Sequence, residues 1–169
     1  MFAGFDTSNY TTSAAVMCDS TIKNYKKMLS VAENARGLRQ SDAVFQHTVN
    51  MPDLLSDMAE DFDLRDVKAV GVSARPRNAA GSYMPCFLVG LNTAKAAAEF
   101  CGCKCYETSH QVGHILAALY SAEKLDLIKD RFLAFHVSGG TTEAVLVTPD
   151  REQILKADIV AASTDLKAG

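Results

Sequence analysis

Two histidines stand four residues apart in Thr108-Ser109-His110-Gln111-Val112-Gly113-His114, which leads into the apolar run Ile115-Leu116-Ala117-Ala118-Leu119. Thr108 or Ser109 suits an N-cap, because its side-chain oxygen can accept an otherwise orphaned amide of the first helical turn. On a helix, residues four apart share a face, so His110 and His114 can reach one divalent metal ion. An i,i+4 pair is equally compatible with a helix start carrying two ordinary polar side chains. Context favours the metal. Of the two remaining histidines, His136 lies in an apolar segment that runs straight into the glycine pair of Ser138-Gly139-Gly140-Thr141-Thr142.

Two further stretches carry phosphate chemistry. Thr7, Ser8, Thr11, Thr12 and Ser13 crowd the first turn of the chain. Hydroxyls and backbone amides in such a turn can receive anionic oxygens. In Ser138-Gly139-Gly140-Thr141 the two glycines let backbone amides approach a ligand closely, and the flanking hydroxyls add donors. Either turn alone reads as a polar hairpin tip. Together with the histidines they point to a nucleotide phosphate held between two hairpins, with a metal beside it.

Other reactive residues are weaker signals. Cys101, Cys103 and Cys105 alternate, which on a strand would place three thiols on one face. A metal cluster and small buried hydrophobes both fit that pattern. Arg75 and Arg77 could grip a phosphate or carboxylate by bidentate contacts. Zinc proteolysis of the H-E-x-x-H kind needs a glutamate base after the first histidine. Gln111 stands there and cannot take a proton.

The elements expected to position these residues alternate in type. Residues 2–6, 13–17 and 22–29 read as an antiparallel meander. A helix capped by Ser41 or Asp42 is expected to run to about Asp61, with Pro52 as a kink or restart. Residues 67–73 are apolar almost throughout, as a buried parallel strand would be, and the loop from Arg75 to Ser82 leaves its carboxyl end. Residues 85–100 read as a helix with small apolar side chains on nearly all faces, buried or half turned to a partner. A strand begins at Cys101, then the histidine-bearing helix follows. Residues 131–137 and 143–147 form a hairpin, and one more strand covers about 152–162. The order predicts an α/β fold with a mixed central sheet and helices packed on it. A repeated strand, polar turn and strand from about residue 131 suggests internal duplication.

Composition sets the bounds. The chain has 169 residues, 48% hydrophobic and 22% charged, with a formal charge of −3, which is enough apolar mass for a core and no global basic field for nucleic acid. No segment approaches about 18 uninterrupted apolar residues, and no signal-peptide pattern opens the chain, so a cytoplasmic protein without membrane attachment is expected. Five cysteines, an odd number, do not suggest a disulfide framework.

Five collinear motifs carry a resemblance. Gly4-Phe5-Asp6-Thr7-Ser8 resembles the opening G-I-E-T-S of the TsaD family, and Val89-Gly90-Leu91-Asn92-Thr93-Ala94-Lys95 its L-V-G-L-x-x-A-K helix. The stretch from His110 to His114 matches its H-x-x-G-H, and Val137-Ser138-Gly139-Gly140 its V-S-G-G. Thr164-Asp165-Leu166-Lys167-Ala168-Gly169 is similar to its T-x-D-D-A-A-G. The resemblance implies an actin-like ATPase (sugar kinase, Hsp70) fold. Residues 1–162 would form the first lobe and residues 163–169 the start of the second, a lobe expected to be inactive alone. It implies transfer of a threonylcarbamoyl group from its adenylate to N6 of an adenosine in tRNA, hence ATP or an acyl-adenylate as cofactor. By that analogy iron or zinc would be bound by His110, His114 and His136, the last standing where some relatives have a tyrosine ligand. Thr7, Ser8 and Thr11 would oppose Ser138, Gly139, Gly140 and Thr141 across the nucleotide. The helices at 42–61 and 85–100 correspond to those that pair actin-like subunits, which implies a partner subunit or a homodimer. It also opens an alternative, a non-catalytic scaffold of a tRNA-modification complex. Asn9-Tyr10 and Val112 replace acidic residues of the family pattern, and Arg75-Pro76-Arg77-Asn78 replaces its G-P-G loop. These departures mark a divergent paralogue.

Overall fold

The computed structural model describes residues 1–32, 37–137, 142–151 and 153–164. The chain divides into two compact units, Met1–Pro76 with Gly81–His110, and Arg77–Ala80 with Gln111–Gly169. Among the described residues no helix is long and apolar enough to cross a membrane.

The first unit is built on a five-stranded mixed sheet. Strands β1 (Phe2–Asp6), β2 (Thr11–Cys18) and β3 (Thr21–Met28) form the expected antiparallel meander, with Phe2 opposite Met17 and Asp6 opposite Ser13. Helix α1 (Gln40–Asp61) carries the chain to β4 (Ala69–Arg75), which lies parallel to β1 with Ala3 beside Val70 and Phe5 beside Val72. Helix α2 (Phe87–Cys101) then returns it to β5 (Lys104–Ser109), parallel to β4. The sheet order is β3-β2-β1-β4-β5. Parallel neighbours need such crossovers, and the helices they supply cover the sheet.

The helices bury narrow stripes. On α1 the buried residues Ala43, His47, Met51, Leu54 and Met58 recur every three or four positions, and on α2 Phe87, Gly90, Ala94 and Ala98 do the same. Met51, Leu54 and Met58 of α1 and Ala94 and Ala98 of α2 meet Ala3, Phe5, Val16, Val70 and Val72 of the sheet in one core. Ala43 and Phe87 pack with Leu29 and Cys86 in a smaller one. Helix α1 runs without a break through Pro52 and begins one residue before Ser41. Its N-cap is Arg39, which makes no side-chain cap, and the Ser41 hydroxyl donates to Asp42 instead. Helix α2 ends at Gly102, whose φ of 62° is left-handed, and the Cys103 amide closes on the Ala98 carbonyl at 2.9 Å. That closure keeps Cys101 in the helix and starts β5 only at Lys104. The three thiols therefore do not share a strand face. All five cysteines are free.

The second unit holds α3 (His110–Ser121) from Gln111 onward and a second antiparallel meander, β6 (Phe132–Val137), β7 (Thr142–Asp150) and β8 (Ile154–Ala162). Its core joins Val112 of α3 to Val145, Val147, Leu155 and Ala157. Like β1 to β3, these strands form a three-stranded antiparallel meander. Residues 138–141 and 165–169 lie outside the described residues, and with them the Gly139-Gly140 turn and most of the last motif.

Candidate functional site

In open α/β sheets ligands bind beyond the carboxyl ends of the parallel strands. In the first unit those ends bring together Asp6 of β1, Ser73 of β4 and His110, which follows β5 directly. The His110 Nδ1 atom lies 2.8 Å from Asp6 Oδ2, and its Nε2 atom 3.5 Å from Ser8 Oγ. The Ser8 amide donates to Asp6 Oδ1 at 2.8 Å, a local turn that aspartate favours at a strand end. Burial disfavours the Asp6 charge, but hydrogen bonds from His110, Ser73 and Ser8, with the His110 charge, outweigh it and hold the carboxyl at about 2. Asp6 is an anion throughout the physiological range. The Phe87 ring meets the His110 ring edge-on, centroids 6.2 Å apart.

The hydroxyl-rich turn divides its labour. Thr7 is fully buried, and its hydroxyl donates to the Cys86 carbonyl at 2.8 Å while accepting the Gly90 amide at 3.0 Å. It thus fastens the turn to the start of α2. Thr12 is also buried, paired with His47 Nδ1 at 2.8 Å and with the Asn50 amide at 3.2 Å. Ser8 and Thr11 are half-buried and remain at the surface of the hairpin. Asn9 takes a left-handed φ of 48° between them.

In the second unit the His114 and His136 rings stack with centroids 6.1 Å apart, and both line an apolar cleft of about 350 Å³ with Phe132 and Phe135. His136 stands directly opposite Glu143 across β6 and β7. Arg77 donates to Glu143 Oε1 at 2.9 Å. The other oxygen, Oε2, lies 3.7 Å from His136 Nδ1, and both atoms are buried without a hydrogen-bond partner among the described residues. Among the described residues no three His, Cys, Asp or Glu side chains are grouped so as to hold a metal ion. Ser138, Gly139, Gly140 and Thr141 lie outside the described residues.

Three imidazoles are a donor set suited to iron or zinc. A metal-bearing histidine usually gives its second ring nitrogen to a carboxylate or carbonyl, as His110 does to Asp6. The residue types suit such an ion, but among the described residues they are not grouped to hold one. The sequence reading missed Asp6 and Glu143. Asp6 was visible as an acid closing a strand beside a hydroxyl-rich turn, whereas Glu143 emerges only from the β6–β7 register.

The sequence profile of the TsaD family, described as tRNA N6-adenosine threonylcarbamoyltransferase, matches residues 21–166. A protein of that description from Christiangramia forsetii is 28% identical over 161 residues, covering 94% of this chain and 45% of its own length. One from Rhizobium etli is 29% identical over 154 residues, covering 85% and 40%. The chain therefore spans less than half the length of these relatives. Among solved structures, YeaZ from Pseudomonas aeruginosa superposes with a TM-score of 0.50 at 11% identity, over 96% of this chain and 67% of that one. An uncharacterized protein described as similar to peptidase YEAZ from the same organism gives a TM-score of 0.52 at 11% identity, over 95% and 63%. These likenesses agree with an α/β fold of the actin-like ATPase class. With the profile spanning most of its length, the chain belongs to the TsaD family.

Proposed function

We propose that this chain is the metal- and nucleotide-binding part of a TsaD-like transferase, which moves a threonylcarbamoyl or related carbamoyl group to N6 of adenosine in tRNA. The observation that carries the reading is the Asp6–His110 pair beyond the carboxyl ends of β1 and β5. His110, His114 and His136 would hold iron or zinc. Such an ion supplies Lewis acidity toward a carbamoyl or phosphate oxygen. Ser8 and Thr11 offer hydroxyls to the phosphates of ATP or an acyl-adenylate, while Thr7 holds their hairpin against α2. Ser138, Gly139, Gly140 and Thr141, outside the described residues, would supply further amide and hydroxyl donors to those phosphates.

Equilibrium dialysis with labelled ATP in the presence of zinc tests this reading. Saturable binding is expected, weakened about 10-fold or more by the double substitution Ser8→Ala with Thr11→Ala, as the loss of two hydrogen bonds to a charged group implies. No saturable binding by the wild-type chain would contradict it.

A second reading, a non-catalytic partner subunit, draws on exposed apolar side chains of the two long helices. Phe45 and Val49 on α1 and Leu88 and Phe100 on α2 face solvent, Phe100 with 92% of its surface. Phe45 and Val49 lie one helical turn apart on the same face, where a contiguous apolar patch would mark a protein contact. Self-association that Phe45→Glu abolishes, in a chain with no metal or nucleotide affinity, would favour this reading.

A further inference from the structure

We propose that Asp6 is the positioning residue of His110: it fixes the proton on Nδ1 and so presents Nε2, directed toward Ser8, as the atom that meets a ligand. An ionised carboxylate can only accept hydrogen bonds, so the 2.8 Å contact from Asp6 Oδ2 requires a hydrogen on His110 Nδ1. In the neutral form of the ring, the one a metal ion can take as a ligand, that N–H is the only one and the lone pair lies on Nε2. A histidine free in water prefers the opposite tautomer, so Asp6 reverses the intrinsic preference of the ring.

The carboxylate is itself held. Its Oδ1 atom accepts the Ser8 amide at 2.8 Å, and Ser73 on the neighbouring strand β4 adds a further hydrogen bond. Asp6 ends β1 and His110 follows β5, two strands flanking β4. The sheet therefore sets the distance between carboxylate and ring, and the Phe87 ring packed edge-on limits rotation of the imidazole. His136 and Glu143 make a looser version of the same pairing, 3.7 Å apart and short of a hydrogen bond. The tight member of the two is His110.

The consequence for ligand binding rests on the metal reading above. A second ring nitrogen tied to a carboxylate raises the basicity of the ligating nitrogen and fixes its direction, and removing such a partner typically costs 10–100-fold in metal affinity. Asp6 would serve the ion without touching it.

Nitrogen-15 NMR of the imidazole rings in the 169-residue chain tests this without metal. In alkaline solution, with the ring neutral, the His110 signals of the wild type should report hydrogen on Nδ1 and none on Nε2, and those of Asp6→Asn should move toward hydrogen on Nε2. Hydrogen on Nε2 in the wild type overturns the proposal, and that spectrum decides even if the variant fails to fold. An unchanged tautomer in a folded Asp6→Asn protein overturns it as well. Zinc titration of the two proteins reads the metal assignment separately. Affinity 10–100-fold weaker in Asp6→Asn is expected, and equal affinity overturns the positioning role. Absence of zinc binding by a wild type with hydrogen on Nδ1 removes the metal and supports Asp6 as the residue that sets the ring.

Discussion

Thr7 Oγ1 accepts the amide of Gly90 at 3.0 Å and would stand 2.9 Å from a Cβ placed at that glycine. The first turn of the chain and helix α2 therefore meet at a point where a side chain has no room. Thr7 is β-branched, fully buried and bonded to the Cys86 carbonyl, so it cannot swing aside.

Gly90→Ala follows directly. In an open helix the change would stabilise by about 1 kcal/mol. Here overpacking against Thr7 should reverse the sign and destabilise by about 1–3 kcal/mol. Urea unfolding measures it, and a gain in stability would show that the hairpin yields.

His47 makes a prediction about pH. Burial pushes its imidazole below the ordinary 6.5, and the Asn9 carbonyl and Asp6 charge offset this only in part. The folded chain thus binds fewer protons than the unfolded chain in mild acid. The stability from neutral His47 is complete above pH 6.5 and is lost as pH falls from there toward the folded pKa, with a slope of at most about 1.4 kcal/mol per unit. His47→Gln, which can keep a hydrogen bond to Thr12, should flatten urea midpoints between about pH 7.5 and about pH 5.5. Identical slopes in the two proteins would count against a neutral buried His47.

The Arg77–Glu143 pair tests the interior of the second unit. Glu143 is only 7% exposed, so Arg77→Ala leaves a buried carboxylate without its cation. That should cost about 2–4 kcal/mol, whereas replacing the pair by Met and Leu together should cost much less. Thermal or urea unfolding of single and double variants gives the comparison, and equal losses would show that the pair does not act as a unit.

Order and type of the elements were legible because hydrophobic period and turn residues agree along the chain. Strands β1 to β3, the parallel β4 and the helix start at His110 all follow from local pattern. The misplacements are local. A left-handed cap at Gly102 moved the start of β5 and separated the three cysteines, and Arg39 rather than Ser41 or Asp42 precedes α1. In the candidate site the residue types were readable and their pairings were not. Nothing in the sequence distinguishes Thr7, spent inside on α2, from Ser8, left at the surface, until the register of β1 and the packing of α2 are known. Asp6 acquires its role only because β1 and β5 flank β4, a separation of more than a hundred positions along the chain.

Metal content by elemental analysis tests the central claim most directly, with wild-type protein beside His110→Ala and His136→Ala. Near-stoichiometric iron or zinc in the wild type, lost in both variants, is the predicted result. A wild type free of metal after purification without chelators, and unable to take up zinc afterwards, would contradict the account and leave the partner-subunit reading in its place.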